Sequence, residues 1–353
     1  MPPPNARLLF VPVSGPRGMG EYARCLSIAT ALAQRLPALE MRFVLSREAP
    51  YAADTPFATT LLPASATFHS REVCALIREL EPRVVLFDNA GRTAQLRAAH
   101  ACGARVVYVS SRRRQRARAF RLKWMRVIDE HWIAYPRFIA GAPTRLERLK
   151  LRLLERPRLR YVDTLLPPSD PAQAEAGRAR FALQAREYVL VVPGGGSAHR
   201  GAENAPAIVA AAARAIARRG YPTLLVGVSD AGGGAVPALL RVAPRLPNPQ
   251  LCELIRTARL VVANGGDTLL QVLACARPCV AVPIAHDQAA RIERCVRAGL
   301  AVRAELEPGA IESAVLRALE NTSAEAHLGP LAGVQQVRNC MEEVLGALEA
   351  LLV

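Results

Sequence analysis

Short, uninterrupted apolar runs, each followed by a longer stretch of helical spacing, recur along this chain, and that alternation leaves few folds open. Leu8-Leu9-Phe10-Val11-Pro12-Val13 is the first such run, and Gly20 to Leu36 carries helical spacing after it. Arg42-Phe43-Val44-Leu45, Arg83-Val84-Val85-Leu86-Phe87-Asp88 and Arg105-Val106-Val107-Tyr108-Val109 follow, with a helix predicted over 93–102 between the last two. A strand apolar at every position, rather than at alternate ones, has to be covered on both faces. Strands of that kind alternating with helices predict a doubly wound, parallel α/β sheet.

The pattern then restarts. Leu165-Leu166-Pro167-Pro168-Ser169-Asp170-Pro171 can continue neither helix nor strand and marks a boundary. Tyr188 to Val192, Thr223 to Val228, Leu260 to Ala263 and Cys279 to Val282 are the strands predicted beyond it, with a helix over 204–219. The chain has 353 residues, the length of two ordinary domains. The reading is therefore a first Rossmann-like domain over 1–165, a linker over 166–187, a second such domain over 188–335 and a closing helix over 336–353. On that helix Val337, Met341, Val344, Leu345, Leu348 and Leu351 share one face, which should pack on one of the domains.

Half of the residues are apolar (51%), enough for two cores, which excludes a disordered or fibrous chain. The 46 basic residues outnumber the 30 acidic ones, a net charge of +16, and all but Lys123 and Lys150 are arginine. Such an excess attracts polyanions: nucleotide phosphates, anionic lipid or nucleic acid. The 8 cysteines form no Cys-x-x-Cys and sit beside no paired histidines, so zinc spacing is absent. The N-terminal stretch is too proline-rich for a signal peptide and no apolar run reaches membrane-spanning length. These features predict a reduced, cytoplasmic protein, at most peripheral at the inner face of the cytoplasmic membrane.

Three segments carry candidate chemistry. Gly15-Pro16-Arg17-Gly18-Met19-Gly20-Glu21 lies between the first strand and the first helix. Its glycines allow a tight turn and close approach of a ligand to a helix N-terminus. The glycine loop alone reads rather as a plain strand-to-helix turn, but Glu21 shifts that balance by adding a carboxylate placed to act as a base. Pro193-Gly194-Gly195-Gly196-Ser197 ends the first strand of the second half; a phosphate cradle and a flexible loop are equal readings of it. The third segment is the most specific: Asn264-Gly265-Gly266-Asp267-Thr268, then Gln271, then His286-Asp287-Gln288 after the next strand. The backbone N–H groups there and the Thr268 hydroxyl suit a diphosphate, Gln271 one turn on suits a ribose, and Asp287 and Gln288 suit sugar hydroxyls. Asp88 and Asn89 end a later strand of the first half and read either as an acceptor contact or as a helix cap. His199 and His286 stand near the donor segments, whereas His69, His100, His131 and His327 have no constellation around them.

On those residues, 260–302 resembles the nucleotide-sugar signature of inverting GT-B glycosyltransferases. In that signature Gly-Gly is followed by Ser or Thr, a Glu three residues on, Pro, and Asp-Gln before a helix. Here it runs Gly265-Gly266, Thr268, Gln271, Pro278 and Asp287-Gln288. The nearest families are the peptidoglycan N-acetylglucosaminyltransferase and the glucuronosyl- and macrolide-type transferases. Gly18-Met19-Gly20-Glu21-Tyr22-Ala23-Arg24 is similar to the loop of the UDP-sugar hydrolase of pseudaminic acid synthesis, which carries Gly-His-x-x-Arg. The chain departs from those patterns at Asn264 (usually His or Arg), Gln271 (usually Glu), Arg291 (usually Asn) and Glu21 (usually His).

The resemblance implies two Rossmann-like α/β domains facing each other across a cleft. It implies inverting transfer of a sugar from a nucleoside diphosphate donor, UDP-linked, to an acceptor hydroxyl, with no metal or other cofactor. The donor would lie on the second domain, over Gly194, Gly195, Gly196 and Ser197 and the Asn264 to Gln288 segments. The acceptor would enter at Gly18, Gly20, Arg24, Asp88 and Asn89, with Glu21 as base. A hydrolase of the same fold, with water as acceptor, and a sugar-nucleotide-binding subunit without turnover are the alternatives.

The run Ser111-Arg112-Arg113-Arg114-Gln115-Arg116-Ala117-Arg118 has three readings. One is a solvated face. The second is membrane docking over Arg112–Met125, with Phe120, Leu122, Trp124 and Met125 supplying the apolar part, as in lipid-acceptor transferases of this fold. Nucleic-acid binding comes last, because no recognition signature accompanies the charge. A second basic and apolar stretch covers 145–160.

Overall fold

The computed structural model describes residues 7–16, 19–194, 203–228, 235–320 and 337–353. The chain divides into two compact units: Met1–Leu165 with Asn339–Val353, and Leu166–Arg338. In chain order the first unit holds β1 (Arg7–Pro12), α1 (Gly20–Arg35), β2 (Glu40–Ser46), β3 (Ala58–Leu62), α2 (Ser70–Leu80), β4 (Val84–Asp88), α3 (Thr93–Ala101) and β5 (Arg105–Ser110). It continues with α4 (Arg113–Ala119), α5 (Leu122–Met125), β6 (Glu130–Ile133), α6 (Arg137–Ala140), α7 (Arg145–Leu154) and β7 (Arg158–Tyr161). The second unit holds α8 (Pro171–Arg180), β8 (Val189–Val192), α9 (Ala205–Arg218), β9 (Thr223–Val226), β10 (Leu240–Ala243), α10 (Asn248–Thr257), β11 (Leu260–Asn264), α11 (Asp267–Ala274), β12 (Cys279–Val282), α12 (His286–Arg297), β13 (Val302–Arg303) and α13 (Pro308–Glu320). The last helix, α14 (Met341–Leu352), returns to the first unit.

Every strand pair is parallel. The orders are β3-β2-β1-β4-β5-β6-β7 and β10-β9-β8-β11-β12-β13. The order in which strands are added reverses once in each sheet, between β1 and β4 and between β8 and β11. Those reversals open crevices at the carboxyl ends of the strands, where α/β sheets bind ligands.

In the first unit one face of the sheet packs under α1 and α14. Phe10 and Phe43 stack there at 4.8 Å, and Val344, Leu345 and Leu348 of α14 are fully buried. The opposite face carries Leu9, Val11, Val85, Phe87 and Tyr108 under α2 and α3. In the second unit Val191, Val262 and Val280 meet the alanine-rich inner face of α9 and Val315 of α13. Both sheets are thus covered on two sides or along their central strands, as continuous apolar strands require.

Residues 166–187, expected as a linker, carry a helix: Asp170 caps α8 by accepting from Gln173 N at 3.1 Å, and α8 packs on α10. Five further strands, β3, β6, β7, β10 and β13, had no counterpart in the sequence reading. His131 on β6 is fully buried, its Nε2 2.8 Å from Ser110 Oγ, and burial pushes its pKa down to about 3, so it stays neutral.

Of the apolar residues expected to dock on a membrane, Phe120, Trp124 and Met125 belong to the interior of the first unit. Trp124 Nε1 donates to Thr93 Oγ1 at 2.9 Å, and its ring meets Tyr108 edge-on. Only Leu122 of that set is exposed. Among the described residues no helix is long and apolar enough to cross a membrane.

Candidate functional site

In the first unit the crevice is built from the ends of β1, β4 and β5. Glu21 occupies the first turn of α1, and Asn89 Nδ2 donates to its Oε1 at 2.9 Å. Asn89 follows β4 directly and takes a left-handed backbone conformation (φ 52°), which asparagine tolerates better than most residues. Its amide also bonds the Ser111 Oγ, and its Oδ1 accepts from Ser111 N at 2.9 Å. Arg112 Nη2 stands 3.9 Å from Glu21 Oε1 on a largely exposed side chain. Glu21, Asn89 and Ser111 thus come from three separate segments and lock one carboxylate at the switch point of the sheet. Ser111 was missed in the sequence because the arginine run overshadowed it; its position one residue past a strand end was the available signal.

Beneath this cluster lies a second layer. Arg24 Nε and Nη2 reach Asp88 Oδ2 and Oδ1 at 2.7 and 3.3 Å, and Asp88 is fully buried. Arg24 and Asp88, both expected to contact an acceptor, thus pair with each other. The cap reading of Asp88 and Asn89 fails, since α3 begins only at Thr93 with Arg92 as its N-cap. Gly20 opens α1, while Gly18 lies outside the described residues. The Tyr51 hydroxyl completes the surroundings; burial first, and then the Glu21 charge, push its pKa up to about 12.

In the second unit the corresponding loop follows β11. Gly265 N donates to Gln288 Oε1 at 3.2 Å, Ile284 N donates to the same oxygen at 2.9 Å, and Gly266 N donates to Asn264 Oδ1 at 3.0 Å. Gln288 is buried and ties the β11 and β12 loops together through its Oε1, which leaves its Nε2 for the expected contact with sugar hydroxyls. The N–H groups of Gly265 and Gly266, expected to cradle a diphosphate, serve the loop itself. Toward the helix end follows the first turn of α11, with Asp267 and Thr268 half-buried; among the described residues no partner claims the Thr268 hydroxyl. Gln271 Nε2 donates to Asn248 Oδ1 at 3.0 Å, a partner not foreseen from sequence. His286 and Asp287 are exposed, and Asp287 Oδ2 pairs with Arg291 Nη2 at 3.2 Å. Arg291 also bonds the Gly265 carbonyl. Gly195, Gly196, Ser197 and His199 lie outside the described residues.

Two glycines are required by these loops. Gly194 has φ 121°, and a Cβ there would fall 2.1 Å from Asn264 Nδ2. At Gly265 a Cβ would stand 2.8 Å from Gln288 Cβ and 2.9 Å from the Ile292 side chain, both buried. Gly265→Ala is therefore expected to cost about 1–3 kcal/mol through overpacking and to displace the loop. Gly346→Ala, which meets nothing within 4 Å in α14, should instead raise stability by about 0.5–1 kcal/mol. Thermal unfolding of the two variants checks both signs.

A concavity of about 500 Å³ lies at the amino ends of β1, β2 and β3, away from both crevices. Its polar wall is self-satisfied: Arg7 pairs with Glu40 at 2.7 Å and donates to the Leu80 carbonyl at 3.0 Å.

No protein-family model and no curated protein sequence matches the chain. Solved structures do. A spinosyn forosaminyltransferase matches with a TM-score of 0.68 at 14% identity, over 98% of this chain and 99% of that one. The chain has the GT-B fold. LpCGTa, solved in complex with UDP, matches with a TM-score of 0.62 at 14% identity over 99% of each chain. A protein described as a UDP-N-acetylglucosamine 2-epimerase from Listeria monocytogenes matches with a TM-score of 0.58 at 14% identity, over 98% of this chain and 96% of that one. A shared fold does not carry an activity, which has to be argued from the side chains of the two crevices.

Proposed function

We propose that this chain is an inverting glycosyltransferase that moves a sugar from a UDP-linked donor to an acceptor hydroxyl, on an acceptor held at a membrane. The observation that carries the reading is the Glu21 carboxylate, held by Asn89 at the switch point of the first sheet with Ser111 beside it. A base so oriented is what an acceptor hydroxyl needs. Support for the donor comes from the fold shared with transferases and from UDP in the LpCGTa structure.

In the proposed reaction the acceptor oxygen bonds to the anomeric carbon as the bond from that carbon to the diphosphate oxygen breaks. The acceptor proton passes to Glu21, and UDP leaves. The charge on the leaving diphosphate is met by the N-terminal turn of α11 and the Thr268 hydroxyl, electrostatic stabilisation that asks for no metal. Gln271 addresses the ribose with the part of its amide that Asn248 does not use. Asp287 and His286, both exposed, address the sugar.

Release of nucleoside diphosphate from UDP-, GDP- and dTDP-sugars, with and without a lipid extract of the source cells, tests the proposal. Release of UDP that depends on the extract is expected. Equal release without extract would turn the reading to a hydrolase, and binding without release to a non-catalytic subunit.

A further inference from the structure

Helix α7 is apolar on two faces, and only one of them is used. At about 3.6 residues per turn, Leu151 and Leu154 share the side turned to the protein and are half-buried. Leu146, Leu149 and Leu153 fall on the other side, within about 60° of one another, and are 60%, 51% and 74% exposed. None of the ten residues of α7 is buried. Three leucines in one exposed stripe form a contiguous apolar surface of the kind that marks an interaction site.

The residues beside the stripe give its occupant a charge. Arg145, Arg148 and Arg152 are exposed along α7, and Lys150 flanks the stripe on its other side. Helix α4 is clamped alongside: Arg116 Nη1 donates to the carbonyls of Ala140 and Gly141 at 2.6 and 2.9 Å, and Nη2 to that of Ala142 at 3.0 Å. Lys150 Nζ in turn donates to the Phe120 carbonyl at 3.2 Å. These bonds fix α7 against α4, whose Arg113 and Arg114 stay exposed, as do Arg121, Leu122 and Lys123 just beyond it. Positive charge is dense enough there that Arg114, Arg92 and Arg121, after partial burial, pull the Arg118 pKa down.

We infer that α7, with the arginines of α4, docks this protein on an anionic phospholipid bilayer: Leu146, Leu149 and Leu153 enter the headgroup boundary while the flanking arginines meet lipid phosphates. An amphipathic helix with basic flanks binds in this manner, and each cation near the surface adds to the attraction. The basic surface begins at Arg112, one residue after Ser111 and within 3.9 Å of Glu21, so docking would bring a membrane-held acceptor to the carboxylate. The inference does not depend on sugar transfer, because vesicle binding is read without turnover.

Co-sedimentation of the full chain with phosphatidylcholine vesicles, and with vesicles containing about one-third phosphatidylglycerol, tests it. Binding only to the anionic vesicles is expected, weakening as salt rises. The variant Leu146→Gln/Leu149→Gln/Leu153→Gln should lose roughly tenfold or more in vesicle affinity, with the circular dichroism spectrum unchanged. Arg145→Gln/Arg148→Gln/Arg152→Gln should lose the preference for anionic lipid. Unchanged vesicle binding by the leucine variant would overturn the assignment. So would a wild-type dimer that becomes monomeric in that variant, since the stripe would then be an interface between copies of this chain.

Discussion

Glu21→Gln is expected to lower turnover by about 10²–10⁴-fold, the range for loss of a general base, while the KM for the donor stays within about twofold. The substitution keeps the size of the side chain and an oxygen able to accept from Asn89 Nδ2, so the hydrogen bond that orients it can persist. What disappears is the capacity to take the acceptor proton. Donor affinity is the discriminating measurement, because the loops proposed to hold the donor belong to the other unit. A Glu21→Gln enzyme with substantial turnover would remove Glu21 from the proposed chemistry and leave it as a structural partner of Asn89. Loss of donor affinity together with turnover would argue against a base acting only on the acceptor.

Asp88→Ala should cost about 3–5 kcal/mol of stability, the penalty for breaking a buried ion pair by removing one partner. Asp88 is fully buried and the Arg24 side chain is 12% exposed, so water cannot easily replace the carboxylate. Such a loss is a large share of the stability of an ordinary domain, about 5–15 kcal/mol. Arg24→Leu/Asp88→Leu should be less destabilised than Asp88→Ala, since no lone charge remains buried. Denaturant unfolding of the three proteins reads the difference. A cost below about 1 kcal/mol for Asp88→Ala would mean the pair is not held away from water. Because Arg24 lies one turn after Glu21 on α1 and Asp88 directly precedes Asn89, loosening this layer should also lower activity.

The polar side chains that bond within the protein beside the two crevices share a physical cause. Arg24, Asp88 and Gln288 are polar residues next to a crevice, and residue type alone suits them equally to a ligand or to the protein. Gln288 is turned inward because two backbone N–H groups at the ends of β11 and β12 need an acceptor. A buried donor left unpaired costs about 1–3 kcal/mol, so the loops recruit the nearest amide. Asn264 acts similarly toward Gly266. Those demands exist only once the strands are side by side.

The missed strands β6 and β7 make the same point in the fold. Glu130-His131-Trp132-Ile133 carries a carboxylate and an imidazole and reads poorly as a buried strand, yet all four residues are buried. Pairing with β7 brings Arg160 to Glu130 at 2.7 and 3.1 Å, and Trp132 Nε1 donates to the same carboxylate at 2.6 Å. Two charges thirty residues apart become compatible with burial only through that contact. The membrane-docking expectation moved for a related reason. Aromatic residues beside arginines at 120–125 suggested an exposed face, but the interior took Phe120, Trp124 and Met125, and the exposed leucines stand on α7 instead.

By itself, the amino-acid sequence determined the class and the duplication. Continuous apolar runs with helical stretches between them admit two parallel, doubly wound sheets, and glycines after strand ends locate the two crevices, because both signals are local. Only the tertiary structure decided which polar residues serve those crevices. It also decided that α14 returns to the first unit, and that α7 keeps three leucines in the open. Each of these depends on partners distant in sequence, and burial, pairing and charge compensation become defined when those partners meet.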